Sequence, residues 1–145
     1  KIWPALERGQ WVISDRFADS TRAFQGYGLG LDLQTIENLY GTVVGTFQPD
    51  LTLVFDIDPA QGLQRSSKRS AMTANRQEAT EDRYERMGIA FHTRLREGYL
   101  SIAKQNPGRC VIIDAAPDVA SVHRAVLNVI QKRFHLSAMK EAKYG

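Results

Sequence analysis

The sequence predicts a wound α/β fold, a parallel sheet covered by helices, and three observations carry that prediction. Three short apolar runs, Trp11-Val12-Ile13, Leu51-Thr52-Leu53-Val54-Phe55-Asp56-Ile57 and Cys110-Val111-Ile112-Ile113, are rich in β-branched and aromatic residues and nearly unbroken. Continuous rather than alternating apolarity is the habit of strands buried on both faces. An aspartate closes each run (Asp15, Asp58, Asp114), and between the runs the apolar spacing becomes helical.

The elements follow in order. Residues 2–8 read as a helix that Gly9 stops, as glycine does just past a helix end. After the first strand, residues 19–26 form a polar, partly helical loop, and Gly26-Tyr27-Gly28-Leu29-Gly30 reads as a flexible connection. Leu31, Leu33, Ile36, Leu39, Tyr40 and Val43 share one helical face that ends near Gly45. Pro59 opens a short helix with Leu63 inward, and Ser70 to Asn75, which lack a period, read as a mobile loop. Phe91, Leu95, Tyr99 and Ile102 line another helix, ended by Asn106-Pro107-Gly108. Asp118 caps the last, with Val119, Val122, Val126, Leu127 and Ile130 inward.

Composition bounds the function. A chain of 145 residues with 43% hydrophobic and 24% charged content is read as one globular domain over residues 1–145, which excludes disorder and fibre. The net charge of +3 is too small for a duplex-wrapping protein, so no nucleic-acid partner is expected. The single cysteine, Cys110, excludes a disulfide framework and a Cys-rich zinc site and fits a reducing, cytoplasmic setting. No apolar run approaches the ~20 residues of a membrane span, so no membrane partner is expected.

Ligands of open α/β sheets collect beyond the carboxyl ends of the strands. The richest such place is Ser14-Asp15-Arg16-Phe17, where a carboxylate able to meet a metal adjoins a guanidinium fork that matches phosphate. A structural ion pair is the alternative at this point. Residues 59–77 hold Arg65, Lys68, Arg69 and Arg76 and no acid, which suits either a lid over an anionic substrate or a solvated surface loop. His92 reads as packing or surface, and His123 and His135 have no partner at metal-ligand spacing.

Taken together, Val12-Ile13-Ser14-Asp15-Arg16-Phe17, Asp19-Ser20-Thr21, Ala23-Phe24-Gln25-Gly26, Pro49-Asp50-Leu51-Thr52-Leu53, Asp56-Ile57-Asp58-Pro59, Asp82-Arg83-Tyr84-Glu85 and Val111-Ile112-Ile113-Asp114-Ala115 resemble the thymidylate kinase family of P-loop nucleoside monophosphate kinases. The resemblance runs over about residues 2–130. It implies a three-layer fold with strand order 2-3-1-4-5, of which this chain would hold the third, fourth and fifth strands. It also implies transfer of the ATP γ-phosphoryl to dTMP with Mg²⁺, in a cytoplasmic homodimer.

By the same resemblance Arg16 holds the acceptor phosphate, Asp15 lies near the transferred group and the metal, and Thr21 and Gln25 meet the thymine edge. Phe24 stands where tyrosine is common and crowds the sugar, so its selectivity would be steric. Residues 59–82 match the family's LID, in which Arg69 neutralises the transferring phosphate and Arg65 lies near the adenine. The roles of Arg76 and Arg83 stay open between surface charge and pairing with Glu81 and Glu85. The loop at Ala115 lines the adenine pocket, and residues 131–145 extend past the matched core.

The family's loop Gly-x-x-x-x-Gly-Lys-Ser/Thr has no counterpart, because no lysine here follows a glycine. The expectation is therefore the C-terminal portion of such a kinase, inactive alone, with a gap in mid-sheet that leaves strand edges unpaired. The alternatives are a related P-loop kinase for another nucleotide or nucleoside, and a catalytically dead binding or scaffold module.

Overall fold

The computed structural model describes residues 1–72 and 87–136, with backbone alone for residues 69–72. Helix α1 (Ile2–Glu7) ends where Gly9 turns the backbone left-handed at φ +69°. Helix α2 (Ala18–Thr21) runs directly into a π-helix (Arg22–Gly28). Helix α3 (Leu33–Val43) is capped by Asp32, whose carboxylate accepts the N–H groups of Gln34 and Thr35.

Strand β1 (Thr52–Asp56) leads into helix α4 (Pro59–Met72), whose first N–H groups, at Ala60 and Gln61, donate to the Asp58 carboxylate. Helix α5 (Ile89–Gln105), strand β2 (Cys110–Asp114) and helix α6 (Val119–Phe134) complete the described order. Asp118 caps α6 by accepting from Ser121 N–H, as the sequence predicts.

β1 and β2 pair in parallel with Thr52 opposite Cys110 and Asp56 opposite Asp114. The pairing sets both strand-end aspartates side by side at one edge. α5 crosses the sheet, and Val54, Ala103 and Cys110 form the core with Tyr99 packed against them. Cys110 is thus a buried strand residue, as its apolar run implies.

Several expectations are corrected. Trp11, Val12 and Ile13 form no strand: among the described residues the sheet has the two strands β1 and β2, and Ile13 is 95% exposed. β-propensity is realised only against a pairing neighbour, and none lies beside this segment. Burial on both faces is also incomplete, since Phe55 and Ile112 remain half-exposed. On α3 the predicted inner face divides: Ile36 is buried, but Leu39 and Val43 are exposed. On α6 Val119, the first residue of the helix, is 87% exposed.

The short helix at Pro59 runs to Met72 and absorbs the first part of the expected loop. Thr73 to Asn75, Arg76, Glu81, Arg83 and Glu85 lie outside the described residues, as does the chain beyond Leu136. The flexible connection expected at Gly26 to Gly30 is instead the end of the π-helix, because Arg94 donates to Gly28 O (3.0 Å from Nη2) and Gly30 N–H to Gly26 O.

Candidate functional site

Asp15 and Arg16 follow the unpaired segment 11–14, both exposed. Arg16 adopts φ +67°, a left-handed conformation that costs a non-glycine residue about 1 kcal/mol or more. Ser14 Oγ donates to its carbonyl at 2.8 Å and holds that turn. The turn carries the Arg16 guanidinium back over Phe24, 5.2 Å from the ring centroid.

Phe24 in turn packs on α5, with ring centroids 6.2 Å from Phe91 and 6.5 Å from Tyr99. The Tyr99 hydroxyl donates to Ser20 Oγ at 2.8 Å. Burial pushes the Tyr99 phenol up despite the opposing pull of that bond and of Arg16, so it stays a protonated donor at neutral pH. Thr21 stands exposed on α2. One residue past Phe24, Gln25 Oε1 is buried and accepts no hydrogen bond.

The π-helix explains how Phe24 and Gln25 come to lie there. Its wider turn closes with Leu29 N–H on Phe24 O at 2.9 Å, five residues apart. Glycines let it lie against α5: a Cβ on Gly28 would stand 2.6 Å from Phe91 Cε2, and one on Gly98 2.6 Å from Tyr27 Cβ.

Behind this segment runs a chain of four charges. Asp19 is buried and meets Arg109 through two bonds, Nη1 to Oδ2 at 2.6 Å and Nη2 to Oδ1 at 2.9 Å. Arg22 reaches Asp19 Oδ1 at 3.1 Å and forks onto Glu37 at 2.5 and 2.8 Å. Burial alone would push the Asp19 carboxyl up, but the Arg109 and Arg22 bonds and charges outweigh it and hold the group below the usual range. The Arg22 bonds lower Glu37 as well.

A second group gathers at the carboxyl ends of β1 and β2. Arg65, on α4, donates Nη1 to Ala115 O at 2.7 Å and Nη2 to Ala116 O. Asp114 accepts Ala116 N–H at 2.9 Å, which fixes the same loop from the strand side. Arg69 lies on α4 one helical turn beyond Arg65. Arg96 of α5 forks onto Asp56 at 2.6 and 2.9 Å, and its bonds lower that carboxyl.

The structure therefore brings Arg16 to Phe24, and Arg65 to Ala115 across fifty positions of sequence. Neither of two surface hollows includes Arg16, Phe24 or Gln25. One, of about 300 Å³, is lined by Trp3, Phe17, Val43 and Phe47. The other, of about 370 Å³, lies over Arg22, Glu37 and Arg109. Sequence reasoning missed Asp19, Arg109, Glu37, Arg96 and Tyr99 as parts of the site. The Asp19–Arg22 spacing is a visible helical pair, but nothing local links Asp19 to Arg109.

The family model for thymidylate kinase matches residues 1–126. The chain is 46% identical over 131 residues to a thymidylate kinase of Solidesulfovibrio magneticus, a match covering 90% of this chain and 62% of the relative. It is 42% identical over 132 residues to that of Afipia carboxidovorans, covering 91% of this chain and 55% of the relative. A crystal structure of thymidylate kinase from Ehrlichia chaffeensis superposes with a TM-score of 0.63 at 34% identity, over 90% of this chain and 54% of the other. The chain thus spans a little over half the length of these relatives. Over that span, the ordered motifs of the sequence and the parallel strands beneath them are those of one lineage of enzymes, and the chain belongs to the thymidylate kinase family.

Proposed function

We propose that the protein containing this chain phosphorylates dTMP to dTDP with ATP, and that residues 1–145 carry the acceptor site and part of the donor site. The observation that carries this reading is the pairing of Arg16 over Phe24 with a buried, unmet Gln25 oxygen one residue on. An unmet buried acceptor costs about 1–3 kcal/mol. A thymine edge removes that cost, because it presents an N3–H donor beside an O4 acceptor and so suits a carboxamide in either orientation. Thr21 adds a hydroxyl to the same edge, Phe24 crowds the sugar, and Arg16 meets the 5′-phosphate.

The reaction forms a bond from a dTMP phosphate oxygen to the γ-phosphorus and breaks the bond from that phosphorus to the β–γ bridging oxygen, with ADP leaving. Positioning and charge neutralisation supply nearly all of the catalysis. In this reading Arg69, on α4, neutralises the transferring group. Arg65 and the Ala115 loop border the adenine, and residues 59–82 act as the LID.

Among the described residues no three His, Cys, Asp or Glu side chains gather as a metal cage. Mg²⁺ bound chiefly by nucleotide phosphates needs only one or two carboxylates, so exposed Asp15 fits it. The ion would neutralise phosphate charge, and Asp15 would orient it beside Arg16.

The same reading assigns β1 and β2 to the fourth and fifth strands of the 2-3-1-4-5 sheet, and segment 11–13, unpaired here, to the third when the remainder of the protein supplies its neighbour. It assigns residues 131–145 to an extension beyond the core. Exposed Leu39 and Val43 on α3 support a homodimer. A cytoplasmic location agrees with the free, buried Cys110, and no described helix is long and apolar enough to cross a membrane.

The test is ADP release by the full-length protein with dTMP, dUMP, dCMP and AMP. The expected result is the highest kcat/KM on dTMP; a higher value on any of the others overturns the assignment.

A further inference from the structure

We infer that Asp19 is a positioning residue for the acceptor nucleotide, acting through the Asp19–Arg109 fork to fix the segment that reads the base. The inference rests on the dTMP kinase reading and goes beyond it, since Asp19 itself touches no substrate in that reading. Asp19 is 6% exposed and is the buried charged residue among those described. Its fork with Arg109 joins α2 to the residue just before β2, and Arg109 Nη1 also donates to Thr52 Oγ1 at 3.2 Å, the first residue of β1. The fork therefore grips the strands at the ends opposite the ligand edge.

A second clamp lies three residues on. Arg22 binds Asp19 and Glu37 and so ties the start of the π-helix to α3, with its guanidinium carbon 4.7 Å from the Tyr40 ring centroid. Thr21 falls between the two clamps, and Phe24 and Gln25 follow within the next turn.

A buried ion pair contributes little net stability over apolar side chains of the same shape. What the fork supplies is geometry, because two parallel N–H···O bonds fix rotation as well as distance. α2 is the single turn that opens the π-helix, and the fork holds it at the end away from the packing on α5. The fork sets where this turn starts, and with it the placement of Thr21 and the entry into the π-helix, whose packing on α5 seats Phe24 and Gln25. The donor group at Arg65 and Ala115 stands on α4 and the loop after β2, at the other ends of the strands, and its hydrogen bonds involve neither Asp19 nor Arg109.

The experiment measures steady-state KM for both substrates in full-length wild type, Asp19→Asn and Arg109→Lys. Asp19→Asn should raise KM for dTMP about tenfold, since misplacement by a fraction of an ångström costs on that order, and leave KM for ATP within about twofold. Arg109→Lys keeps the charge but not the fork and should raise KM for dTMP by a smaller factor in the same direction. It carries the test by itself if Asp19→Asn does not fold. Parallel rises in both KM values, which a general loosening of the fold would give, overturn the inference, as does an unchanged KM for dTMP in a folded variant. A wild type with no turnover of dTMP overturns the functional reading and this inference with it, whereas an active wild type with insensitive variants overturns the inference alone.

Discussion

Replacing Gly98 by alanine should destabilise the protein, although helix propensity alone predicts the opposite. Gly98 lies inside α5 (Ile89–Gln105), where alanine is favoured over glycine by about 1 kcal/mol. A Cβ built there stands 2.6 Å from both Cβ and Cγ of Tyr27 and 2.9 Å from its Cδ2. Carbon atoms in contact prefer about 3.5–4.0 Å, so roughly 1 Å of clearance must be found. Rotating the Tyr27 ring does not find it, because Cβ is bonded directly to the backbone. The π-helix must shift instead, and Gly28, the next residue, is already packed against Phe91.

Overpacking of this kind costs about 1–3 kcal/mol, and a backbone-bound obstacle belongs at the upper end. Less the propensity gain, the expected net loss is about 2 kcal/mol. Gly41→Ala in α3 is the control, since nothing lies within 4 Å of its Cβ and the propensity gain should appear undiminished. Urea unfolding of the full-length protein reads both: the midpoint falls for Gly98→Ala and rises for Gly41→Ala. KM for dTMP should rise in Gly98→Ala and stay unchanged in Gly41→Ala. A midpoint that rises for Gly98→Ala refutes the close packing of the π-helix on α5.

Arg65→Ala should free the Ala115 and Ala116 carbonyls and raise KM for ATP about fivefold, the equivalent of one lost hydrogen bond of ~1 kcal/mol, with KM for dTMP unchanged. Equal rises in both would show that the loop serves the fold rather than the donor site. Acid stability should depend on Asp56, whose carboxyl the Arg96 bonds hold below its ordinary value. A carboxyl lowered in the folded state stabilises fully above its unfolded pKa of about 3.9 and loses that contribution as pH falls through the folded value. Asp56→Asn should therefore lower the urea midpoint at neutral pH and flatten its decline below about pH 4. Parallel pH profiles for variant and wild type would contradict the Arg96 pairing.

Where structure follows from neighbours in sequence, the residues announced it. Asp118 before an apolar period marked the start of α6, Gly45 the end of α3, and Asp58-Pro59 the entry to α4. The runs of β1 and β2 were legible because their β-branched and aromatic residues find each other, Val54 opposite Ile112 and Phe55 opposite Ile113. The π-helix was not legible, because its five-residue bond spacing leaves no apolar period to read and its two glycines, with Gly30 just beyond, suggest a loop. The motif proposed to bind the acceptor was recognisable as a string of residues, but what fixes its shape lay elsewhere: Arg94 closes the π-helix from α5, and Arg109 holds Asp19 from ninety positions away.

Segment 11–13 shows why local pattern and tertiary context must be read together. Trp11-Val12-Ile13 is as strand-like in composition as Cys110-Val111-Ile112-Ile113, yet only the latter has a strand beside it. A strand is a shared object: half of its hydrogen bonds belong to the partner, and without one the same residues stay extended and exposed. The Arg16 turn that follows does not wait for that pairing. Its conformation is held by Ser14 beneath and Phe24 above, and Phe24 is seated on α5, which packs on β1 and β2. The residues proposed for the acceptor site are thus referenced to the paired strands through side chains. This is the physical reason the segment proposed to bind the acceptor can keep its shape while the run preceding it does not.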